Sequence, residues 1–283
     1  MSATHARTRR TLRVAAYQAP LLPIGSMDAF ALLRARVDWC EAAGVQILCC
    51  PEALLGGLAD YCPPPMQFAI AASQLDHVLA PLASDIVTTI IGFTELADDR
   101  LYNSAAVFSR GALVGLYRKH YPAINRSVYA AGSGLPVFHV EGLTFGIAIC
   151  NDSNYPALAR LLADRGATAL FVPTNNALSP AKAGTEIVAQ SRSVDIGTSR
   201  ENRMWVIRAD VAGRCAGLVS YGSSEIVDPT GDVVQSAQRL TEDLIVAEID
   251  DDDREGCGVS ANPSLQRTTL NSYAVRRPQK GSY

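Results

Sequence analysis

The feature that most constrains the fold is the stretch LTFGIAICNDSNYP, which runs from Leu143 to Pro156. An apolar run ends at Cys150, and four polar residues follow before Tyr155-Pro156. This pattern predicts a buried strand that ends at a turn, with a helix over Ala157 to Gly166 after it. A thiol at such a turn lies near backbone N–H groups and a helix N-terminus, which favour a thiolate and a developing oxyanion. Taken alone, however, a cysteine in a strand is more often a small buried hydrophobe.

The rest of the chain alternates short apolar runs, typical of buried strands, with segments of helical periodicity. Short turns around Asp98 to Arg100 predict antiparallel hairpins between Ile86 and Arg118. The element order favours an α/β fold with two facing sheets and helix pairs outside, but periodicity alone does not exclude a doubly wound single sheet. Helices are predicted at Met27 to Ala43, Met66 to Leu82, Ala157 to Gly166 and Lys182 to Asn202.

Length and composition suit one large domain or two small ones, and the absence of a repeat or linker favours one. The chain has 283 residues, no internal repeat and no linker, so residues 11–283 are predicted as one domain after a disordered N-terminus at 1–10. A net charge of −3 argues against a nucleic-acid partner, and no apolar run approaches the ~20 residues that span a membrane. Seven cysteines without a CxxC pair argue against disulfides or a metal site and favour a cytoplasmic location.

Three chemically useful side chains follow predicted strands. Glu52 ends the apolar run from Val45, Lys119 follows the strand Ala112 to Arg118, and Cys150 ends the run from Leu143. Open α/β folds carry their chemistry at the carboxyl ends of strands. A carboxylate that accepts the thiol proton, an ammonium that stabilises an oxyanion and a thiol together form a nucleophilic set that needs no histidine.

Five ordered segments carry a family resemblance between about Arg13 and Ile249. They are PEALLGG (Pro51 to Gly57), YRKHYP (Tyr117 to Pro122), GIAICNDSNYP (Gly146 to Pro156), SRENRMWVIRAD (Ser199 to Asp210) and YGSSEIVDPTGDVV (Tyr221 to Val234). In these segments the sequence resembles the nitrilase superfamily of carbon–nitrogen hydrolases. The resemblance implies a four-layer αββα sandwich, with no metal and no organic cofactor.

The same resemblance implies roles for the three side chains. Glu52 would be the general base, Lys119 the oxyanion-binding lysine and Cys150 the nucleophile. Members of the family form homodimers and larger assemblies, often through the C-terminal tail, and the polar segment 251–283 is compatible with that arrangement.

Two positions differ from the usual family pattern. Family members carry a second glutamate in the loop after the lysine, whereas the corresponding residue here is Asn125, and no acidic residue lies between Lys119 and Gly134. Nitrile-cleaving members typically have Trp-Glu after the cysteine. This chain has Asn151-Asp152, which resembles the amidase and carbamoylase branches.

The predicted function is hydrolysis of a small non-peptide amide or N-carbamoyl compound through a cysteine thioester. Three alternatives stay open: a nitrilase, a ligand-binding family member without turnover, and an amidotransferase with a Cys–His pair, although none of the four histidines has a matching context. The candidate substrate-binding residues are Asn125, Asn151, Tyr61, Asn103 and Asn175.

Overall fold

Two β-sheets lie face to face at the centre of the protein, in a computed structural model that describes residues 11–123 and 127–250. Asn125 and the segments 1–10 and 251–283 lie outside the described residues, and all described residues belong to one compact unit. The first sheet has nine strands: β1 (Thr11–Pro20), β2 (Ile47–Cys49), β3 (Ile70–Ala71), β4 (Thr88–Ala97), β5 (Arg100–Ser109), β6 (Ala112–Arg118), β11 (Val211–Cys215), β12 (Leu218–Tyr221) and β15 (Asp243–Asp250).

The second sheet has six strands: β7 (Phe138–Val140), β8 (Leu143–Ile147), β9 (Ala169–Pro173), β10 (Trp205–Ala209), β13 (Glu225–Val227) and β14 (Val233–Ser236). Buried side chains from both sheets form one apolar cluster between them, for example Val14, Ile90, Phe145 and Phe171. Two further clusters lie on the outer faces, each between a sheet and helices. The helices are α1 (Asp28–Ala43), α2 (Leu75–Leu79), α3 (Pro156–Asp164) and α4 (Thr185–Asn202).

The layer order is therefore α, β, β, α, and the predicted four-layer sandwich is confirmed. Helix α1 shows how the sequence produces an outer layer. Its residues Ala29, Leu33, Val37 and Cys40 recur at helical spacing, and all four are buried against the first sheet. The helix ends at Gly44, whose φ of 68° is readily adopted by glycine.

Strand directions bring the candidate site together. Strands β1, β2 and β4 are parallel, and β4, β5 and β6 form the predicted antiparallel hairpins, so β2 and β6 run in the same direction. In the second sheet β8, β9 and β10 are parallel. A hydrogen bond from the Glu52 N–H to the Thr174 carbonyl at 3.2 Å joins the ends of the two sheets.

The predicted helix from Met66 to Leu82 is wrong. Residues Ile70–Ala71 instead form β3, which pairs with β4, and only Leu75–Leu79 is α-helical, between short 3₁₀ turns. Pro81 lacks an N–H and interrupts the helical hydrogen bonding. Leu75, Leu79 and Leu82 are buried, as a continuous helix would also require. Their spacing therefore did not reveal that the segment is divided into a strand, a short helix and 3₁₀ turns.

The buried Glu225 on β13 should make the free energy of unfolding depend on pH. Its side chain is buried, Oε2 accepts an N–H of Arg192 at 2.7 Å, and Oε1 has no partner among the described residues. Burial, followed by the negative charge of Asp195, raises the pKa of Glu225 from 4.5 to about 7. The folded state therefore keeps a proton that the unfolded chain loses, so this contribution is complete below pH 4.5 and disappears as the pH rises through 7.

We expect the free energy of unfolding to fall by about 2 kcal/mol between pH 5 and pH 8 through this group. Urea unfolding of the wild type and of Glu225→Gln at both pH values measures the change. The variant should lose most of this difference, because its amide does not titrate. Equal differences in the two proteins would show that Glu225 ionises in the folded state as it does in the unfolded chain.

Candidate active site

A cavity of about 230 Å³ opens where the strand ends of the two sheets meet. Its wall includes seven of the eight residues predicted from the sequence: Glu52, Tyr61, Asn103, Lys119, Cys150, Asn151 and Asn175. The eighth, Asn125, lies outside the described residues. The volume corresponds to roughly eight water molecules, which suits a small substrate.

Glu52 follows β2, and backbone contacts of the segment around it determine its position. Past the end of β2, the Cys50 N–H donates to the carbonyl of Ile90 on β4 at 2.9 Å, which continues the sheet pairing. The chain then lies directly over Gly92, where an added Cβ would be only 2.8 Å from the Glu52 Cα. A glycine on β4 is therefore required for this approach.

Lys119 continues the pairing of β6. Its N–H donates to the Asn103 carbonyl at 2.8 Å, and its own carbonyl accepts the Gly132 N–H at 2.8 Å. The ammonium donates to Glu52 Oε1 at 2.5 Å, and both side chains are almost fully buried. Burial by itself would lower the pKa of Lys119, but the negative charge of Glu52 and its hydrogen bond to the ammonium act in the opposite direction, and the pKa is raised above its usual value.

Asn103 on β5 holds both charged residues. Besides its carbonyl bond to Lys119, its Nδ2 donates to Glu52 Oε1 at 2.7 Å. Two donors therefore occupy Oε1 of Glu52, and Oε2 has no hydrogen-bond donor among residues 11–123 and 127–250. Oε2 is thus the oxygen left to accept a proton. The sequence predicted Asn103 as a substrate contact. Its Nδ2 is used by Glu52, its Oδ1 has no hydrogen-bond partner among the described residues, and contact with substrate stays a prediction.

Cys150 lies just beyond β8, at the start of a 3₁₀ turn over Cys150–Asn154 and not at the end of the strand itself. Its φ of 47° is in the left-handed region, which non-glycine residues rarely adopt without support. The support comes from Asp152, which is buried and accepts the Ile149 N–H at 3.0 Å, the Tyr121 N–H at 2.8 Å and the Tyr117 hydroxyl at 2.7 Å. Asp152 therefore joins the Cys150 turn to the segment around Lys119.

The expected lowering of the thiol pKa is wrong. Burial and then the charge of Glu52 raise the pKa of Cys150 to about 12, although Lys119, an N–H of Asn175 and Arg208 act in the opposite direction. The turn does provide N–H groups, but the short 3₁₀ segment does not offset desolvation and a neighbouring carboxylate. The thiol is therefore neutral near pH 7, and attack requires a base to remove its proton.

Several residues of the cavity wall were missed by sequence reasoning. Asn176 Oδ1 lies 3.8 Å from the Cys150 sulfur, and its amide nitrogen is held by Asp210 and Ser223. The fully buried Arg208 pairs with Asp195 at 2.5 Å and donates to Ser153 at 3.0 Å. Asp60, Ser127 and Tyr129 also line the cavity. The only sequence signal for any of these residues is that Asn176 and Asp210 are polar and follow the apolar runs that form β9 and β10.

The wall of the cavity contains no histidine among the described residues. His120, next to Lys119, stacks on Tyr117 with ring centroids 5.6 Å apart, and its Nδ1 lies 3.1 Å from the Tyr117 hydroxyl. Residues 11–123 and 127–250 therefore place no histidine beside Cys150 in the cavity wall. No helix of the described segments is both long and apolar enough to cross a membrane.

Thiol labelling tests the environment of Cys150. With limiting iodoacetamide, we expect Cys150 to react before Cys40, Cys49 and Cys50, because those three are buried, whereas Cys150 is partly exposed at the cavity wall. Glu52→Gln removes the base that would take the proton of the neutral Cys150 thiol. We expect this loss to outweigh the lower thiol pKa that follows from losing the Glu52 charge, so labelling should slow at least about tenfold.

Peptide mapping with mass spectrometry measures each rate, and the partly exposed Cys215 serves as the internal control whose rate should not change. An unchanged rate at Cys150 in Glu52→Gln would show that Glu52 does not accept the thiol proton. Labelling that reaches the buried cysteines first would contradict an accessible Cys150.

The variant Asn103→Leu tests whether Asn103 positions the Glu52 carboxylate or binds the substrate. Removing the amide frees Glu52 Oε1 from one of its two donors, so we expect kcat to fall about tenfold or more, with KM changed less than about threefold. Steady-state kinetics measure both values, and Ser104→Ala, the next residue on β5, is the matched control because its hydroxyl binds Glu95. A large rise in KM with kcat unchanged would make Asn103 a substrate contact.

Comparison with known proteins gives the family. A sequence profile described as Carbon-nitrogen hydrolase matches residues 13–257. The chain belongs to the carbon–nitrogen hydrolase family. It is 29% identical over 211 residues to an N-carbamoylputrescine amidase of Oryza sativa subsp. japonica, over 67% of this chain and 70% of that protein. It is also 32% identical over 166 residues to a nitrilase of Pyrococcus abyssi, over 58% of this chain and 60% of that protein.

A solved structure shares the fold of this carbon–nitrogen hydrolase. An amidase from Nesterenkonia sp. aligns with a TM-score of 0.73 at 22% identity, over 85% of this chain and 91% of that chain. The comparison supports the four-layer sandwich.

Proposed function

We propose that this carbon–nitrogen hydrolase cleaves a small non-peptide amide or N-carbamoyl compound through a thioester on Cys150. The observation that supports the proposal most directly is the buried Glu52–Lys119 pair in the same cavity as a partly exposed thiol. Burial of two charges is costly, and such a pair is therefore more easily explained by chemistry than by stability.

In the first step the Cys150 sulfur attacks the carbonyl carbon of the substrate. Glu52 accepts the thiol proton on Oε2, because Lys119 and Asn103 already occupy Oε1. The carbonyl oxygen gains the negative charge of a tetrahedral intermediate, which the Lys119 ammonium and the backbone N–H of Asn151 stabilise. One such donor contributes roughly 10²–10³-fold in rate.

Collapse of this intermediate breaks the carbon–nitrogen bond. Glu52 returns the proton to the leaving nitrogen, so ammonia or an amine departs and the acyl group stays on the Cys150 sulfur as a thioester. Glu52 then removes a proton from water, and the hydroxide adds to the thioester. Collapse of this second tetrahedral intermediate breaks the carbon–sulfur bond, and Glu52 returns its proton to the sulfur, so the acid and the free thiol are released. Glu52 ends the cycle in its initial charge state, and no redox partner is needed.

A nitrilase is the second candidate, since the Pyrococcus abyssi relative carries that name. The residues after the nucleophile favour the amidase. The Asp152 carboxylate accepts backbone N–H groups of Ile149 and Tyr121. The Asn151 Nδ2 donates to the Tyr121 carbonyl at 3.0 Å. Neither matches the Trp-Glu that typically follows the cysteine of nitrile-cleaving members.

A panel of amides, N-carbamoyl amines, ureido acids and nitriles, assayed for ammonia release, tests the proposal. Cys150→Ala, purified in the same way, is the control for contaminating activity. We expect release from amides or carbamoyl compounds and none from nitriles. Exclusive turnover of nitriles would favour the nitrilase, and no turnover with an unreactive Cys150 would favour a binding protein.

A further inference from the structure

We propose that Arg208 is a positioning residue that aligns the Cys150 thiol with the Glu52 carboxylate by holding the backbone of both. The inference rests on the proposed function, because it takes Glu52 as the base for the thiol, and it adds a residue on which that proton transfer depends. Arg208 lies on β10, is buried and lines the same cavity as Cys150.

Strand alternation places the Arg208 side chain on the outer face of the second sheet. Ile207 and Ala209 belong to the apolar cluster between the two sheets, whereas Val206 belongs to the cluster against the helices. Successive side chains of a strand point to opposite faces, so Arg208 lies on the same face as Val206. Asp195 of α4 supplies a charged partner there and accepts two N–H groups of Arg208 at 2.5 and 2.6 Å.

A first link connects Arg208 to the turn that carries the nucleophile. Its Nη2 donates to the Ser153 hydroxyl at 3.0 Å, and this hydroxyl donates to the Cys150 carbonyl at 2.8 Å. A hydroxyl has one proton to donate, and the N–H that it accepts from Arg208 favours the orientation in which that proton points to Cys150. The φ of 47° at Cys150 requires support from its neighbours, and Arg208 provides part of it through Ser153.

A second link connects Arg208 to the backbone of the base. Its Nη1 donates to the Thr174 hydroxyl at 2.8 Å, and that hydroxyl donates to the Val172 carbonyl at 3.0 Å. Thr174 is fully buried, and its carbonyl accepts the Glu52 N–H at 3.2 Å. The residue that Arg208 holds is thus the one that joins the end of the second sheet to Glu52 in the first.

Both links start from one rigid group. The guanidinium is planar and its N–H donors have fixed directions, so it can satisfy Ser153, Thr174 and Asp195 together only while these three keep their separation. Asp195 fixes the plane through two bonds, and the other donors then fix the Cys150 turn relative to Thr174. General-base catalysis requires hydrogen-bond reach, about 3 Å between heavy atoms, so small shifts of either backbone should slow the proton transfer.

Two simpler roles have to be separated from alignment. The Arg208 charge favours the ionised form of the Cys150 thiol, although burial and then Glu52 have larger effects on that pKa in the opposite direction. The ion pair with Asp195 also affects folding, since loss of one partner leaves a buried charge. A charge effect on the thiol acts whether or not residue 52 is a base, whereas alignment matters only when Glu52 can accept the proton. The dependence of one substitution on the other therefore distinguishes these roles.

The experiment is a double-mutant cycle on the rate at which iodoacetamide labels Cys150. In the wild-type background, Glu52→Gln should slow labelling at least about tenfold. In the Arg208→Met background, we expect the same substitution to slow labelling less than about twofold, because a displaced base no longer assists the thiol. An equally large effect in both backgrounds would overturn the role of Arg208 and leave the proposed base intact. No effect in either background would reject Glu52 as the base, and with it the alignment.

Two single substitutions test the links separately and keep the charge of Arg208. Ser153→Ala removes the link to the Cys150 turn, and Thr174→Val removes the hydroxyl that Arg208 holds. Each should lower kcat about threefold to tenfold, the scale of one hydrogen bond, with KM changed less than about twofold. Where no substrate is turned over, the labelling rate of Cys150 takes the place of kcat. Unchanged rates in both variants, or a rise in KM alone, would contradict positioning through these links.

A charge-free variant controls for folding. Asp195→Leu combined with Arg208→Met removes both buried charges, so it should recover most of the urea midpoint lost in Arg208→Met alone. It should not recover the effect of Glu52→Gln on labelling. Recovery of that effect would assign the loss to the unpaired Asp195 carboxylate and overturn the proposal.

Arg192→Met is the matched control. Arg192 also lies on α4 and pairs with a buried carboxylate, that of Glu225 at 2.7 Å, but it is outside the cavity wall. Whatever its urea midpoint, this variant should keep the effect of Glu52→Gln on Cys150 labelling. Loss of the effect here would show that weakening any ion pair of α4 abolishes it, and would overturn the specific role of Arg208.

Discussion

Cys150→Ala should reduce substrate turnover at least about 10³-fold and leave the fold intact. The proposed reaction passes through a bond to the Cys150 sulfur, and no other thiol lines the cavity among the described residues. The stability cost should be within about 1 kcal/mol, because the side chain is small and partly exposed at the cavity wall. Ammonia release measures turnover, and urea unfolding measures stability.

Cys215→Ala is the matched control, since Cys215 is also partly exposed but lies on β11 away from the cavity wall. It should retain the activity of the wild type. More than a few per cent of residual activity in Cys150→Ala, in a preparation free of wild-type protein, would remove the thiol from the reaction.

Lys119→Met should lower kcat at least about 10²-fold, the scale for losing one oxyanion donor. It should also destabilise the fold by about 3–5 kcal/mol, because the Glu52 carboxylate would stay buried without its ammonium partner. The two effects have different origins. Activity depends on the charge of Lys119, whereas stability depends on the balance of the buried pair.

The double variant Glu52→Gln with Lys119→Met separates these effects. It removes both buried charges, so it should recover most of the lost stability but no activity. Lys182→Met changes an exposed lysine outside the cavity and should alter neither property. Wild-type kcat in a folded Lys119→Met protein would show that the ammonium is not needed for turnover.

The raised pKa of Cys150 changes how the three residues depend on one another. A cysteine that is already a thiolate could attack the substrate carbonyl without a base. A neutral thiol needs a base in contact with it to take its proton during the attack. The hydrogen bonds of Lys119 and Asn103 to one oxygen of Glu52 leave the other oxygen free for this purpose. Positioning of the base is therefore as important as its presence.

The sequence by itself determined the main elements of the fold and the three charged or nucleophilic residues. Short apolar runs favour buried strands, and a polar or reactive residue after such a run is favoured at a sheet edge, which indicated Glu52, Lys119 and Cys150 as candidates. The five ordered segments then indicated a four-layer sandwich, which the structure and the family comparison confirm. Helix α1 was predicted from apolar residues at helical spacing, Phe30, Leu33, Val37 and Cys40, and the last three of these are buried in the structure.

Local patterns were insufficient where long-range pairing decided the structure. The segment from Met66 has apolar residues at helical spacing, but the pairing of β3 with β4 and the position of Pro81 divide it. The left-handed backbone of Cys150 depends on Asp152, whose partners include Tyr117 and Tyr121, about thirty residues earlier in the chain.

Only the tertiary structure decided which polar groups meet in the cavity. Asn103 binds Glu52 across 51 residues of sequence, Asp60 binds Ser127 across 67, and Arg208 binds Asp195 from a different element. Each of these residues is ordinary in its local sequence, and its role arises from the charge or hydrogen bond that folding brings to it. Sequence periodicity reports burial along one element, whereas electrostatic and hydrogen-bond partners depend on distances between elements.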